Sequence, residues 1–409
     1  MPHADDVRIL RELAKQVADL AADPIQEERR ELWRAHNSFE RTRPLILVGW
    51  EAAWPEHPEA SSRCEDPFFQ GFETQFKQAI FRQTLGDDTI QEAWIALRAS
   101  VVSPPNGIWG VGHTYKHSGV AGGAWKHEPA LKELSDLEKM VVPKHEINEE
   151  ATAANLAKLQ EAIGDLLTIT VDRSPLWSGW WADLSTALFY LRGLDSFMLD
   201  MHDNPRWFHE LLSFMRDGIL KSHEEAEAAG DWSMTDGGNQ AMTYSRELPD
   251  PAANVYGVKR DQLWDFCAAQ EYALVGPKQH DEFLLQYQLP IIEKFGLSAY
   301  GCCEDLTHKI DMLRQIKNLR RISVTPQADC ARSAEQIGTD YIISWRPNPA
   351  DMICCGFYPD KIKRIVRESM EAMKGCHVDI DLKDVQTVDH KPELLRDWVQ
   401  IVRGITDEY

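Results

Sequence analysis

The sequence predicts an α/β protein in which about eight parallel strands, separated by helices, close into a barrel behind an N-terminal helical extension. Three observations carry that expectation. From residue 297 onward, apolar runs alternate with helical patterns: 297 to 303, Arg321 to Thr325, Tyr341 to Trp345 and Val378 to Leu382 each lead into a helix or a helix start. Strands separated in this way need parallel crossovers. Earlier runs near residues 46, 101, 169 and 234 bring the strand count to about eight, the number in a (β/α)8 TIM barrel. The third is length, since 409 residues suit one barrel with insertions.

Each element has its own reason. Residues 5 to 35 read as two helices, with Leu10, Leu13, Val17 and Leu20 at helical spacing ahead of Asp23-Pro24, then a charged helix through Trp33. This extension, residues 1–40, is expected to pack outside the barrel of residues 41–409. Arg43-Pro44 leads into Leu-Ile-Leu-Val-Gly-Trp50, a continuous apolar run that suits a strand buried on both faces, with Glu51 at its C-terminal end. Residues 66 to 99 read as helical, and 99 to 102 with Trp109 as a second strand. A Gly-rich loop from 110 to 127 then carries His113, His117 and His127. Its glycines argue against a helix that would bring His113 and His117 onto one face, so structural or substrate-contact histidines are expected there, with metal ligation by His113 and His117 as the alternative.

Leu167 to Val171 has strand character, and the loop after it is dense in Trp177, Trp180 and Trp181. Such crowding suits either a pocket wall or plain core. Residues 184–200 and 204–227 read as amphipathic helices, the second opening at Asn204-Pro205. Trp232-Ser-Met-Thr-Asp236 reads as a strand ending in a carboxylate. Pro249-Asp-Pro251 breaks regular structure, and from Asp261 through Trp264, Cys267, Ala268 and Glu271 the pattern is helical. Another helix starts after Pro277, with Phe283, Tyr287, Ile291 and Ile292 inward.

Forty-four basic against 65 acidic residues give a net charge of −21, which argues against nucleic-acid backbones and anionic membranes as partners. No leader-like segment and no membrane-length apolar run is present, so a cytoplasmic protein with reduced thiols is expected among its eight cysteines.

The stretch Phe295-Gly-Leu-Ser-Ala-Tyr300-Gly-Cys302-Cys303-Glu304 places two thiols and a carboxylate at a strand end ahead of a helix, where α/β proteins put their chemistry. Neighbouring side chains of an extended chain point to opposite faces, so at most two of the three share a site. Glu51, Asp236, Cys302, Cys303, Glu304 and Asp384 all stand at C-terminal strand ends and are expected around one mouth. Trp177, Trp180, Trp181, Tyr300 and Glu51 are candidate substrate contacts. Lys383, His280 and Asp236 are candidate acid–base groups.

Four runs together carry a family likeness: His280-Asp-Glu-Phe-Leu-Leu-Gln-Tyr-Gln-Leu-Pro-Ile-Ile-Glu-Lys-Phe-Gly, Tyr300-Gly-Cys-Cys-Glu, Arg321-Ile-Ser-Val-Thr-Pro and Arg346-Pro-Asn-Pro. In these the chain resembles the uroporphyrinogen decarboxylase superfamily, and within it the corrinoid-dependent methyltransferase branch and its unassigned relatives. The likeness runs over 260–403 and, more loosely, over 40–225. It implies a TIM barrel of the uroporphyrinogen decarboxylase type. In the methyltransferase branch it also implies a zinc held by a His-x-Cys pair at one strand end and a Cys at the last. Here Tyr300-Gly-Cys302 stands in the place of His-x-Cys, and the last strand ends in Lys383-Asp384 with no Cys. The ligand set that the resemblance then implies is Cys302 or Cys303 with Glu304 and Asp384. The arginine-rich motif by which the decarboxylase grips a porphyrin is replaced by Leu-Val-Gly-Trp-Glu-Ala-Ala, so porphyrin decarboxylation is not expected.

The function expected from this resemblance is a zinc-dependent methyltransferase or demethylase acting on a small methylated or methoxylated organic compound. The methyl carrier is then a corrinoid on a separate partner protein, because no Asp-x-His-x-x-Gly motif occurs here. The alternatives are a cofactor-free, decarboxylase-like lyase of the same fold and a non-catalytic small-molecule-binding relative.

Overall fold

Ten strands occur among residues 4–120, 123–175, 184–234 and 241–409, the residues described in a computed structural model of the chain. They are β1 (Leu45–Val48), β2 (Trp94–Arg98), β3 (Thr114–His117), β4 (Trp125–Glu128), β5 (Thr168–Asp172), β6 (Trp264–Cys267), β7 (Leu297–Tyr300), β8 (Leu319–Val324), β9 (Ile342–Trp345) and β10 (His377–Leu382). Six of them form one sheet, curled into a half-barrel, in the order β1-β10-β9-β8-β7-β6. Every pair in it is parallel. β2 and β5 make a separate parallel pair, and β3 and β4 an antiparallel hairpin.

The period of two along each strand decides what the curl encloses. In β10, Val378, Ile380 and Leu382 join Ile322, Val324, Ile343 and Trp345 in the main apolar core, against Leu395, Trp398, Val399 and Val402 of the helix Glu393–Thr406. The alternate positions Asp379 and Asp381, with Arg321, Ser323, Ser344 and Arg346 from β8, β9 and the end of β9, are equally buried. The helix-facing side of the sheet is therefore apolar, and the enclosed side is polar and charged.

The N-terminal extension divides between two cores. Helix Ala4–Ala21 sets Ile9, Leu10, Ala14 and Val17 against Phe69, Phe76, Ile95, Leu97, Leu159 and Ile169, in a cluster that includes β2 and β5. Helix Ile25–Asn37 is hydrogen-bonded to the large sheet. Trp33 donates to the Asp88 carbonyl at 2.8 Å, His36 Nε2 lies 3.0 Å from Asp379 Oδ2, and Asn37 Oδ1 accepts from Arg321 Nη1 at 2.9 Å.

Several elements differ from the sequence reading. The run 66–99 splits into helix Pro67–Gln83, whose N-cap Asp66 accepts from the Phe68 N–H at 2.9 Å, and strand β2. Val101 makes only an isolated bridge to Ile147. Trp264 to Cys267, read as helical, is β6, in parallel register with β7. Near 234 the described part is no strand, since Ser233 forms one isolated bridge with Tyr256. The loop 110–127 contains the β3–β4 hairpin, where His113 stacks on Tyr190 and His127 on Phe189 with centroids 4.7 and 4.6 Å apart. Among the described residues no helix is long and apolar enough to cross a membrane.

Candidate active site

The site is built where β7, β9 and β10 end. β7 leaves the sheet at Gly301, whose φ of +99° suits glycine. The Gly301 N–H donates to the Cys267 carbonyl at 2.8 Å, and Ser323 Oγ donates to the Gly301 carbonyl at 2.6 Å. A Cβ at this position would stand 2.5 Å from Leu306 Cδ1 and 3.1 Å from Ser323 Cβ. Gly301→Ala is therefore expected to destabilise the protein by about 1–3 kcal/mol through overpacking and backbone strain. A thermal melt unchanged from wild type would refute this.

The turn delivers Cys302, which is buried together with Phe266, Ala268 and Ala299. Glu304 braces it from behind, accepting from the Cys302 N–H at 2.8 Å and the Ala269 N–H at 2.6 Å. Arg346, one residue beyond β9, donates through Nη1 to the Cys302 carbonyl. Lys383, one residue beyond β10, brings Nζ to 2.6 Å from Cys302 Sγ. Cys303 Sγ lies 3.6 Å from Cys302 Sγ and 3.7 Å from Asp384 Oδ2. Beside this end of β10 runs the end of β1, where the Val385 N–H donates to the Gly49 carbonyl at 3.0 Å and Glu51 pairs with Arg82.

Charge settles unevenly over these groups. The hydrogen bond from Cys303, with the positive charges of Arg346 and Lys383, pulls the Cys302 thiol down to about 6 against the effect of burial. Cys303, exposed at the mouth, is pushed well above the ordinary thiol range, first by its hydrogen bond to that sulfur and then by partial desolvation of its thiol. Asp381 sits on the enclosed side of β10, two residues before Lys383. Burial pushes it up to about 7, although Arg346 and Lys383 pull the other way. Among the described residues no hydrogen bond reaches its carboxyl.

Cys302, Cys303, Lys383 and Asp384 are thus brought into mutual contact, with Glu51 at the same end of the sheet. His280 and Tyr300 are not. Alternation along β7 turns Ala299 inward and Tyr300 toward the helices. There the Tyr300 hydroxyl lies 2.9 Å from His280 Nε2 and donates to Gln288 Oε1 at 2.7 Å. Both side chains are fully buried in that layer, and burial drives His280 far below its ordinary range, to the neutral imidazole. The structure thus sets Tyr300 and His280 apart from the Cys302 cluster, hydrogen-bonded to each other in the helix layer. Trp177, Trp180, Trp181 and Asp236 lie outside the described residues.

As arranged, the thiols and carboxylates do not fit a zinc ion. Among the described residues no three His, Cys, Asp or Glu side chains are placed to hold a metal. Glu304 has both oxygens on backbone N–H groups, and the Lys383 ammonium stands against Cys302 Sγ.

Two site residues escaped the sequence reading as functional groups. Asp381 was visible in the alternation Val378-Asp-Ile-Asp-Leu382-Lys383, which marks an inward charged stripe. Arg346, at a strand end before Pro347, carried the same signal as Lys383. Compared with known proteins, the chain matches no family model and no curated sequence.

Proposed function

We propose that the chain is an enzyme of the uroporphyrinogen decarboxylase superfamily, a full (β/α)8 barrel in which β2 and β5 complete the six-stranded half, and that it works as a small-molecule lyase. The single observation that supports this reading most is the hydrogen bond of Lys383 Nζ to Cys302 Sγ, 2.6 Å long, at the C-terminal ends of the strands. It holds a transferable proton between two groups at a strand-end mouth, with Asp381 buried below and Arg346 beside it. In a decarboxylation the carbon–carboxylate bond breaks and carbon dioxide leaves. The electron pair stays on the substrate carbon, and Lys383 supplies the proton that completes the new C–H bond.

The test is release of carbon dioxide from a panel of small organic carboxylates by the full chain. Lys383→Met and Cys302→Ala are expected to lower the rate by about 100-fold or more. Turnover that survives both changes sinks the reading.

A second reading, zinc-dependent methyl transfer or demethylation with a separate corrinoid protein, is favoured by one feature. Cys302, Cys303 and Asp384 lie in a row, 3.6 and 3.7 Å apart, and would have to draw together, with Lys383 displaced from Cys302, to hold an ion that they do not enclose as arranged. One zinc per chain by elemental analysis, lost in Cys302→Ala, Cys303→Ala and Asp384→Ala, would put this reading first. Wild-type metal content in all three variants would remove it.

A further inference from the structure

Resting on the reading that this mouth binds a small molecule, we propose that Arg346 is its anion-recognition residue and that the ligand carries a carboxylate, held side-on by Nε and Nη2. Arg346 is 2% exposed. Its Nη1 donates to the Cys302 carbonyl, whereas Nε and Nη2 are buried and have no hydrogen-bond partner among the described residues. A buried guanidinium has five N–H donors to satisfy, and a buried donor without an acceptor is destabilising. A site that retains two such donors side by side is prepared for an acceptor from outside the chain.

The two nitrogens identify the shape of that acceptor. Nε and Nη2 form the fork that grips a carboxylate by two parallel hydrogen bonds. The chain uses this fork on its own acids elsewhere. Arg30 Nε and Nη2 hold the two oxygens of Glu92 at 3.0 and 2.7 Å, and Arg192 Nε and Nη2 hold those of Asp200 at 2.6 and 3.3 Å. At Arg346 no such acid arrives. Asp381 acts on it through charge but makes no ion pair with it, and Asp384 is turned toward Cys303.

Position supplies the remaining argument. Arg346 follows Ser344 at a two-residue step along β9, and Ser344 Oγ donates to Asp379 on the enclosed side of the sheet at 3.0 Å. The guanidinium therefore faces the same enclosure as Asp381 and Lys383. A carboxylate seated on the Arg346 fork has the Lys383 ammonium as a second cation nearby. The rest of the ligand then lies against Cys302 and the apolar patch of Phe266, Ala268 and Ala299. A neutral amide of the same shape offers one acceptor in place of two and no charge.

The experiment is calorimetric titration of the full chain with acetate, benzoate and succinate against acetamide, benzamide and succinamide, in a buffer free of carboxylates. Wild type is expected to bind at least one carboxylate at least tenfold more tightly than its amide. Arg346→Lys, which keeps the charge and removes the fork, is expected to lose that tenfold preference. Amides that bind as well as carboxylates, a panel in which no carboxylate binds, or a preference that survives Arg346→Lys overturns the proposal. Should Arg346→Lys fail to fold, Asp381→Asn decides. Removing that negative charge should tighten carboxylate binding, and weaker binding overturns the proposal. Binding and turnover, read side by side on the same panel of compounds, separate this inference from the lyase reading. Carboxylate binding with no turnover of any compound sinks the lyase alone. Turnover of neutral compounds with no carboxylate preference sinks the role of Arg346.

Discussion

Asp379→Ala is expected to remove about 3–5 kcal/mol of folding stability, the largest single loss anticipated for this chain. Asp379 is 1% exposed and Arg321 is completely buried. The carboxylate accepts from Arg321 Nη2, from Ser344 Oγ at 3.0 Å and from His36 at 3.0 Å, while Arg321 Nη1 donates to Asn37. Burial pushes the Asp379 pKa up, but Arg321 and His36 outweigh it and hold the group below the ordinary carboxylate range. A depressed acid contributes stability above its unfolded pKa that is lost as the pH falls through its folded value. Removing the carboxylate leaves a guanidinium with an uncompensated charge inside the sheet, and most of the expected loss comes from that charge. The double variant Asp379→Leu with Arg321→Met should recover a substantial part, because an apolar pair leaves no buried charge uncompensated, although Ser344, His36 and Asn37 each lose a hydrogen-bond partner. Urea unfolding followed by tryptophan fluorescence measures both, and a single-variant loss under about 1 kcal/mol would contradict the account.

The second large effect has the opposite sign. Asp265, on the helix side of β6, is 2% exposed. One of its oxygens accepts a weak hydrogen bond from the Cys267 thiol at 3.6 Å, and the other has no partner among the described residues. Burial pushes its pKa up from 3.8 to about 7, against the pull of the Phe266 N–H and the Cys267 thiol. For a group raised in the folded state, its contribution to stability is fully present below the unfolded pKa and lost as the pH rises through the folded one. A shift of that size corresponds to roughly 4 kcal/mol at about 1.36 kcal/mol per unit, an upper figure. Asp265→Asn is therefore expected to stabilise the protein, by up to roughly 4 kcal/mol near pH 8.5 and far less near pH 5. A gain that is the same at both pH values would show that ionisation is not what makes Asp265 unfavourable.

Asp381 is raised for the same reason, but it lies in the proposed site, where an unfavourable buried acid is the usual accompaniment of function. Asp265 has no such neighbourhood. The two acids are the same residue type on opposite faces of the sheet, Asp381 in β10 on the enclosed side beside the site and Asp265 in β6 on the helix side.

How much of this was legible in the chain depends on which periodicity each stretch displays. From residue 297 onward the strands are short, apolar and spaced by helices, and the parallel order β7 to β10 follows from that pattern with few alternatives. Trp264-Asp-Phe-Cys267 misled because four residues rich in aromatic and apolar types fit a helical spacing as well as a strand, and length is the usual arbiter. β2 was hidden for a similar reason, since Trp94 to Arg98 continues an apolar pattern begun in the helix before it. At the site, the clustering of Cys302, Cys303, Lys383 and Asp384 follows from strand ends meeting at one edge. The inward turn of Arg346 and the outward turn of Tyr300 depend on strand phase, which a one-residue slip reverses. Glu304 illustrates what types alone do not reveal. A carboxylate beside two thiols reads as a ligand, yet its oxygens hold the backbone that positions one of those thiols.

The pairing of β1 with β10 also sets an order on biosynthesis. Leu45 pairs with Asp379 and Val48 with Leu382, contacts separated by roughly 330 residues of chain, among the most non-local a protein of this size can make. On a ribosome adding about 5–20 residues per second, β1 emerges and then waits on the order of 20–60 s for its partner. Over that interval its apolar edge has no strand to pair with. β10 is also no edge strand, because it lies between β1 and β9, so a nascent chain interrupted before residue 377 lacks the joint on which both depend. Such a chain presents two open strand edges, which makes it a natural client of co-translational chaperones and prone to aggregate without them.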